Sequence, residues 1–118
     1  MLLKYRSDYE KVTMGLLSFV KTLKRLNRLT AELAWYQASA NRQLLLWKDA
    51  NQDFSGVVGI ELKPGFVVVR LLALTPAARN ERHLNQMLDE LADLYPSDKV
   101  IGLLTTTKLV AQWEAKHE

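Results

Sequence analysis

At 118 residues, with 48% hydrophobic and 25% charged side chains, the chain has the length and apolar content of one globular domain with a full core. It has no cysteine, which removes disulfide frameworks, cysteine nucleophiles and zinc–thiolate sites and agrees with a reducing, cytoplasmic setting. A net charge of +3 argues little about partners.

The start, Met1-Leu-Leu-Lys-Tyr-Arg, is charged too early for a signal peptide, and no apolar run approaches the roughly 20 residues that span a bilayer. Lys21, Lys24, Arg25 and Arg28 form a basic cluster. No aromatic residues interleave with it to stack bases, so it reads as the solvated face of a helix. Neither a membrane nor a nucleic acid is expected as a partner.

Leu2 to Arg6 is predicted as a first strand. Ser7 or Asp8 stands where a helix cap is wanted, before a face of Tyr9, Val12, Leu16 and Phe19. A second helix is predicted from Thr22 to Ala40, with Leu23, Leu26, Leu29, Leu33 and Tyr36 in one stripe. Ser18 to Thr22 is a kink between the two. Three strands follow at Gln43–Lys48, Phe54–Leu62 and Phe66–Leu74, and their short connections make them antiparallel. Gly56 and Gly59 inside the second of these signal a bulge or a close backbone approach.

Val67 to Leu74 is an apolar run interrupted only by Arg70, and it reads as a strand covered on both faces. Thr75-Pro76 stops it. The period then becomes helical, with Leu84, Met87, Leu88 and Leu91 on one side and Asn85, Asp89, Glu90 and Asp93 on the other. The first-turn N–H groups of such a helix make an anion site, here beside Arg79 and Arg82, although many strand–loop–helix units are only architecture. After Pro96-Ser97-Asp98, Lys99–Leu104 is predicted as a parallel strand. Thr105 or Thr106 then caps a last helix carrying Leu109, Val110 and Trp113.

This order of elements, with Met14-Gly-Leu-Leu-Ser-Phe19, Arg42-Gln-Leu-Leu-Leu-Trp-Lys48 and Val58-Gly-Ile-Glu61, resembles the GNAT acyltransferases. Within them it resembles small members encoded with riboflavin-biosynthesis genes in Gram-positive bacteria. The resemblance spans nearly the whole chain. It implies an α/β (α+β) GNAT fold: a mixed, mostly antiparallel sheet, splayed fourth and fifth strands, helices on both faces and a truncated C-terminus. It implies acetyl-CoA as co-substrate, an amine acceptor that no residue identifies, and no metal. A non-catalytic module that binds CoA or a protein partner in a regulatory role is the alternative.

The family holds the pyrophosphate with Arg/Gln-x-x-Gly-x-Gly/Ala at this helix start. Arg79 matches the leading position, Asn80, Glu81 and His83 fill the variable ones, and Arg82 and Leu84 replace the glycines. Glycine there lets backbone N–H groups approach phosphate oxygens, so Arg82 either supplies a charged contact instead or fills the cradle. Leu84 lies on the apolar stripe. Leu72, Ala73 and Leu74 would pair with the pantetheine arm. Trp113 stands where the family often has a tyrosine acid, and an indole cannot take that role. Glu61 is the candidate base, although a carboxylate on an alternating strand is more often simply an exposed charge. His83 and His117 lack metal-ligand spacing and are expected at the surface. A short C-terminus would leave the last strand's edge bare, which suggests a homodimer.

Overall fold

The computed structural model describes residues 1–20, 23–103 and 106–116. Strands β1 (Leu2–Lys4), β2 (Arg42–Lys48), β3 (Phe54–Lys63), β4 (Phe66–Leu74) and β5 (Lys99–Gly102) lie side by side in that order in one sheet. Neighbours are antiparallel except β4 and β5, which are parallel and joined through helix α3 (Glu81–Leu94). Those two, α1 (Glu10–Leu17) and α2 (Leu26–Gln37), cover one face. The other face carries α3 and α4 (Thr107–Ala115).

The sheet therefore has apolar side chains on both sides. Leu16, Leu17, Leu33 and Tyr36 pack on Val57 and Leu71. Met87, Leu88, Leu91 and Val110 pack on Val58, Ile60 and Val69. Alternation along β3 and β4 sends successive residues to opposite layers, which is why these strands read as continuous apolar runs.

That alternation slips once. Gly59 pairs with Leu71 but Ile60 pairs with Val69, leaving Arg70 without a counterpart on β3. Leu71 joins the α1–α2 layer, and Arg70 lies on the same side, over Trp35 of α2. Two consecutive side chains on one face are the mark of a β-bulge. The glycine signal in β3 has a second cause as well: a Cβ on Gly59 would lie 2.3 Å from the Tyr36 hydroxyl.

The bulge coincides with a fork. β4 and β5 are paired from Phe66 opposite Lys99 to Val69 opposite Gly102, and no further. The Thr106 hydroxyl donates to the Val69 carbonyl at 2.5 Å and accepts from the Leu103 N–H at 2.8 Å, pinning the start of α4 to the last paired residue of β4. Gly102 lets the chain turn there, since a Cβ would lie 2.5 Å from Thr107 Cα.

Several local expectations change. Neither Ser7 nor Asp8 makes a side-chain cap; a 3₁₀ turn over Ser7–Tyr9 precedes α1, and Asp8 pairs with Arg6 at 3.2 Å. The second helix is shorter than predicted, because Arg25 is extended and the chain beyond Ala38 turns into β2 through Arg42 N–H to Ser39 carbonyl. Leu26, expected on its buried stripe, is 72% exposed. Thr106 stands at the cap position of α4, but its hydroxyl serves the fork instead of the helix N–H groups. Lys21, Thr22, Leu104 and Thr105 lie outside the described residues.

Thr106→Val and Gly102→Ala are each expected to cost about 1–3 kcal/mol, the first through an unpaired buried carbonyl and the second through backbone crowding. Urea unfolding checks this; unchanged midpoints in both variants would contradict the account of the fork.

Candidate functional site

Beyond the fork, a cleft of about 900 Å³ opens along the unpaired edge of β4, within the ordinary range for a small-molecule site. Its floor is Leu72, Ala73 and Leu74. The Thr75 N–H donates to the Ser55 carbonyl on the β3 side, so alternation turns the peptide groups of Leu72 and Leu74 to the open side. The Leu74 carbonyl accepts from the Arg79 guanidinium at 3.2 Å. An extended ligand carrying amide groups can thus pair with β4 as a missing strand would.

One wall is the start of α3, with Arg79, Asn80, Glu81 and Leu84. Asn80 is extended and caps the helix: its Oδ1 accepts from the His83 N–H at 2.8 Å. The Leu84 N–H is bonded to the Asn80 carbonyl at 3.1 Å, which leaves the Glu81 and Arg82 N–H groups as the helix's open donors. The opposite wall is the α4 face of Leu109, Gln112, Ala115 and Lys116. Lys116 donates to Glu81 and ties the walls together. Both side chains are at least half exposed, so this tie is worth at most about 1 kcal/mol and opens readily. Arg79 and Lys116 then give the cleft two cations against one carboxylate.

The structure therefore brings Leu72, Ala73, Leu74, Arg79, Asn80, Glu81 and Leu84 to one cleft, with Leu84 also packed against the core. Arg82 is exposed, and neither it nor His83 belongs to the lining. His83, expected at the surface, is half-buried against Trp47, with ring centroids 5.5 Å apart. Its Nδ1 lies 2.7 Å from the Ala78 carbonyl and 3.1 Å from the Asn80 side-chain amide nitrogen. His117 lies outside the described residues.

Glu61 sits on the α2 face of the sheet. Its carboxylate accepts from Arg70 at 3.0 Å and lies 3.8 Å from Lys63. The side chain is only 18% exposed. Because Arg70 is the first β4 residue past the last β5 partner, this carboxylate lies beside the fork. Trp113 is buried, and its indole N–H donates to Asp89 at 2.9 Å.

Tyr36 is buried over Gly59, and its hydroxyl has no hydrogen-bond partner among the described residues. Burial first, then the nearby Glu32, push its pKa well above the usual tyrosine value, so the phenol stays protonated. Arg42 and Arg70 both lie against the Trp35 ring, 4.0 and 4.6 Å from its centroid. Sequence reasoning overlooked this stack, which depends on pairing register. It also overlooked the α4 wall, where the i, i+3 spacing of Leu109 and Gln112 was available as a signal.

No protein-family model matches the sequence. An N-acetyltransferase of Bacillus methanolicus, in the lysA 3' region, is 30% identical over 118 residues, covering 99% of this chain and 98% of that protein. Among solved structures, a protein assigned as a phosphinothricin N-acetyltransferase superposes with a TM-score of 0.71 at 13% identity, over 99% of this chain and 80% of its own. AAC(6')-Iy, solved with the bisubstrate analogue CoA-S-monomethyl-acetylneamine, gives 0.67 at 8% identity over 99% and 87%. A GNAT-family acetyltransferase of Staphylococcus aureus Mu50 gives 0.62 at 16% identity over 100% and 81%.

Proposed function

This chain belongs to the GNAT family of N-acetyltransferases, and from that premise we propose that it moves the acetyl group of acetyl-CoA onto an amine bound at the fork between β4 and β5. The observation that carries this reading is the cleft along the unpaired β4 edge, with amide-pairing groups at one end and two cations at the other. Leu72, Ala73 and Leu74 hold the pantetheine arm. The Arg79–Leu84 segment receives the diphosphate: Arg79 supplies a charged contact, Glu81 and Arg82 their open N–H groups, and Lys116 exchanges its bond to Glu81 for one to phosphate.

In the reaction the neutral amine attacks the thioester carbonyl, a C–N bond forms, and the C–S bond breaks. Glu61 accepts the proton released by nitrogen. The indole N–H of Trp113 is engaged by Asp89 and is no acid, so water protonates the departing thiolate. Turnover then falls below the ordinary enzymatic value of about 10 per second and rests mainly on holding the two substrates together.

The motifs at Met14–Phe19, Arg42–Lys48 and Val58–Glu61 support a place among RibT-like proteins and hence a link to riboflavin metabolism. Absence of cysteine favours the cytoplasm, and among the described residues no helix is long and apolar enough to cross a membrane. β5 pairs only with β4 among the described residues, so its far edge is offered to a second copy as a homodimer contact.

Three measurements test this. Calorimetric titration with acetyl-CoA is expected to show Arg79→Ala weakened by about 1–3 kcal/mol. Thiol release against a panel of amines that includes riboflavin-pathway intermediates is expected to fall about 10²–10⁴-fold in Glu61→Gln, with acetyl-CoA affinity retained. Absence of both turnover and CoA binding would replace the enzyme by a non-catalytic module. Light scattering is expected to give twice the chain mass; a constant monomer mass over a hundredfold range of concentration would remove the dimer.

A further inference from the structure

On the α2 face beside the fork, three strands place charged side chains in a row. Arg42 of β2 is in register with Glu61 of β3, and Arg70 of β4 reaches Glu61 at 3.0 Å. Trp35 of α2 lies over the row, with both guanidinium carbons within 4.6 Å of its ring centroid. Lys63, two residues along β3, shares the face. Glu32, a turn before Tyr36, is the other carboxylate nearby. Arg42, Lys63 and Arg70 thus outweigh Glu61 and Glu32.

The arginines are held but not used up. Arg70 gives one N–H to Glu61, and Arg42 gives one to the Trp35 carbonyl at 3.1 Å. Arg42 makes no ion pair among the described residues. Stacking on an indole fixes the plane of a guanidinium and leaves its N–H edges free, the arrangement that favours two-point recognition of a carboxylate or phosphate. Arg70 remains 33% exposed, so an anion can reach it.

We propose that this platform selects the acceptor: a compact amine that carries its own oxyanion, a carboxylate or a phosphate monoester, a few bonds from the nitrogen. Arg70 and Arg42 hold the oxyanion, and the nitrogen is thereby presented to Glu61 beside the fork. Arg70 is suited to this because the bulge turns it to the α2 face at the point where β4 loses β5. This specificity rests on the acetyl-transfer reading above, but the platform's binding of anionic amines is separable from it.

The test uses the full chain and three amines of similar length: β-alanine, aminoethyl phosphate and propylamine. With acetyl-CoA present, kcat/KM for at least one anionic amine is expected to exceed that for propylamine roughly tenfold or more, and this preference is expected to collapse in Arg70→Gln and in Arg42→Gln. Which anionic amine leads decides between carboxylate and phosphate. Arg42→Gln, at the start of its strand, keeps the test available should Arg70→Gln fail to fold. Without acetyl-CoA, the anionic amines are expected to produce a saturable change in tryptophan fluorescence, lost in Trp35→Phe and shifted about tenfold in the arginine variants. Such binding with no turnover of any amine supports the platform and counts against acetyl transfer. Turnover that favours propylamine, a preference that survives in both arginine variants, or no fluorescence response to either anionic amine overturns the proposal and leaves acetyl transfer standing if thiol is released.

Discussion

Between Val69 and Leu74 the outer edge of β4 has no strand beside it among the described residues, and the remainder of the molecule is arranged around that shortage. Peptide groups left unpaired in a core would cost about 1–3 kcal/mol each, so an open edge must meet solvent, a side chain or a ligand. Here the Val69 carbonyl is taken by Thr106 and the Leu74 carbonyl by Arg79. The peptide groups of Leu72, between them, face the cleft, whose floor is apolar. Thr106 and Gly102 keep β5 and α4 from closing over that edge, and α3, packed through Met87, Leu88 and Leu91, keeps the far wall in place. The α2 face takes its chemistry from the same place, because the bulge beside the fork turns Arg70 toward Trp35 and Glu61.

The two ends of the cleft offer different interactions. Along β4 the available interactions are short-range and directional, suited to amides in an extended arm. At the start of α3 the glycine-lined backbone cradle usual in the family is replaced by side chains. Asn80 satisfies one first-turn N–H itself, and Glu81 adds a negative charge that Lys116 balances. Anion recognition by flexible cations is more sensitive to ionic strength than recognition by fixed backbone dipoles, since the charges are exposed and screened. A helix start with fewer open N–H groups thus gains charge and gives up rigidity.

Two aromatic residues next to each other on α2 perform opposite tasks. Tyr36 fills the core over Gly59, and its buried hydroxyl stays protonated. Trp35 is turned toward the sheet's charged row and organises two guanidinium groups that would otherwise repel each other. Like charges held against one ring are tolerated because each gains from the ring's quadrupole, and Glu61 offsets one of them.

The sequence by itself determined the order of elements, the ends of β4, the buried face of α3, and the family resemblance that the relatives support. These are local quantities: Val67–Leu74 is a short β-branched run stopped by Thr75-Pro76, and Leu84, Met87, Leu88 and Leu91 recur at helical spacing. The resemblance also put Leu72, Ala73, Leu74 and Arg79 at one site, and the structure brings them to one cleft because a strand's end and the loop after it stay adjacent in the fold. Only the tertiary structure decided which residues face one another across strands. Glu61 and Arg70 are nine residues apart in the chain, yet whether they meet depends on the bulge at Arg70, and a slip of one residue would have sent Arg70 to the α3 layer. Trp35, Arg42 and Lys116 became part of the picture for the same reason: register and helix docking are set by the summed packing of two layers, which no local pattern encodes.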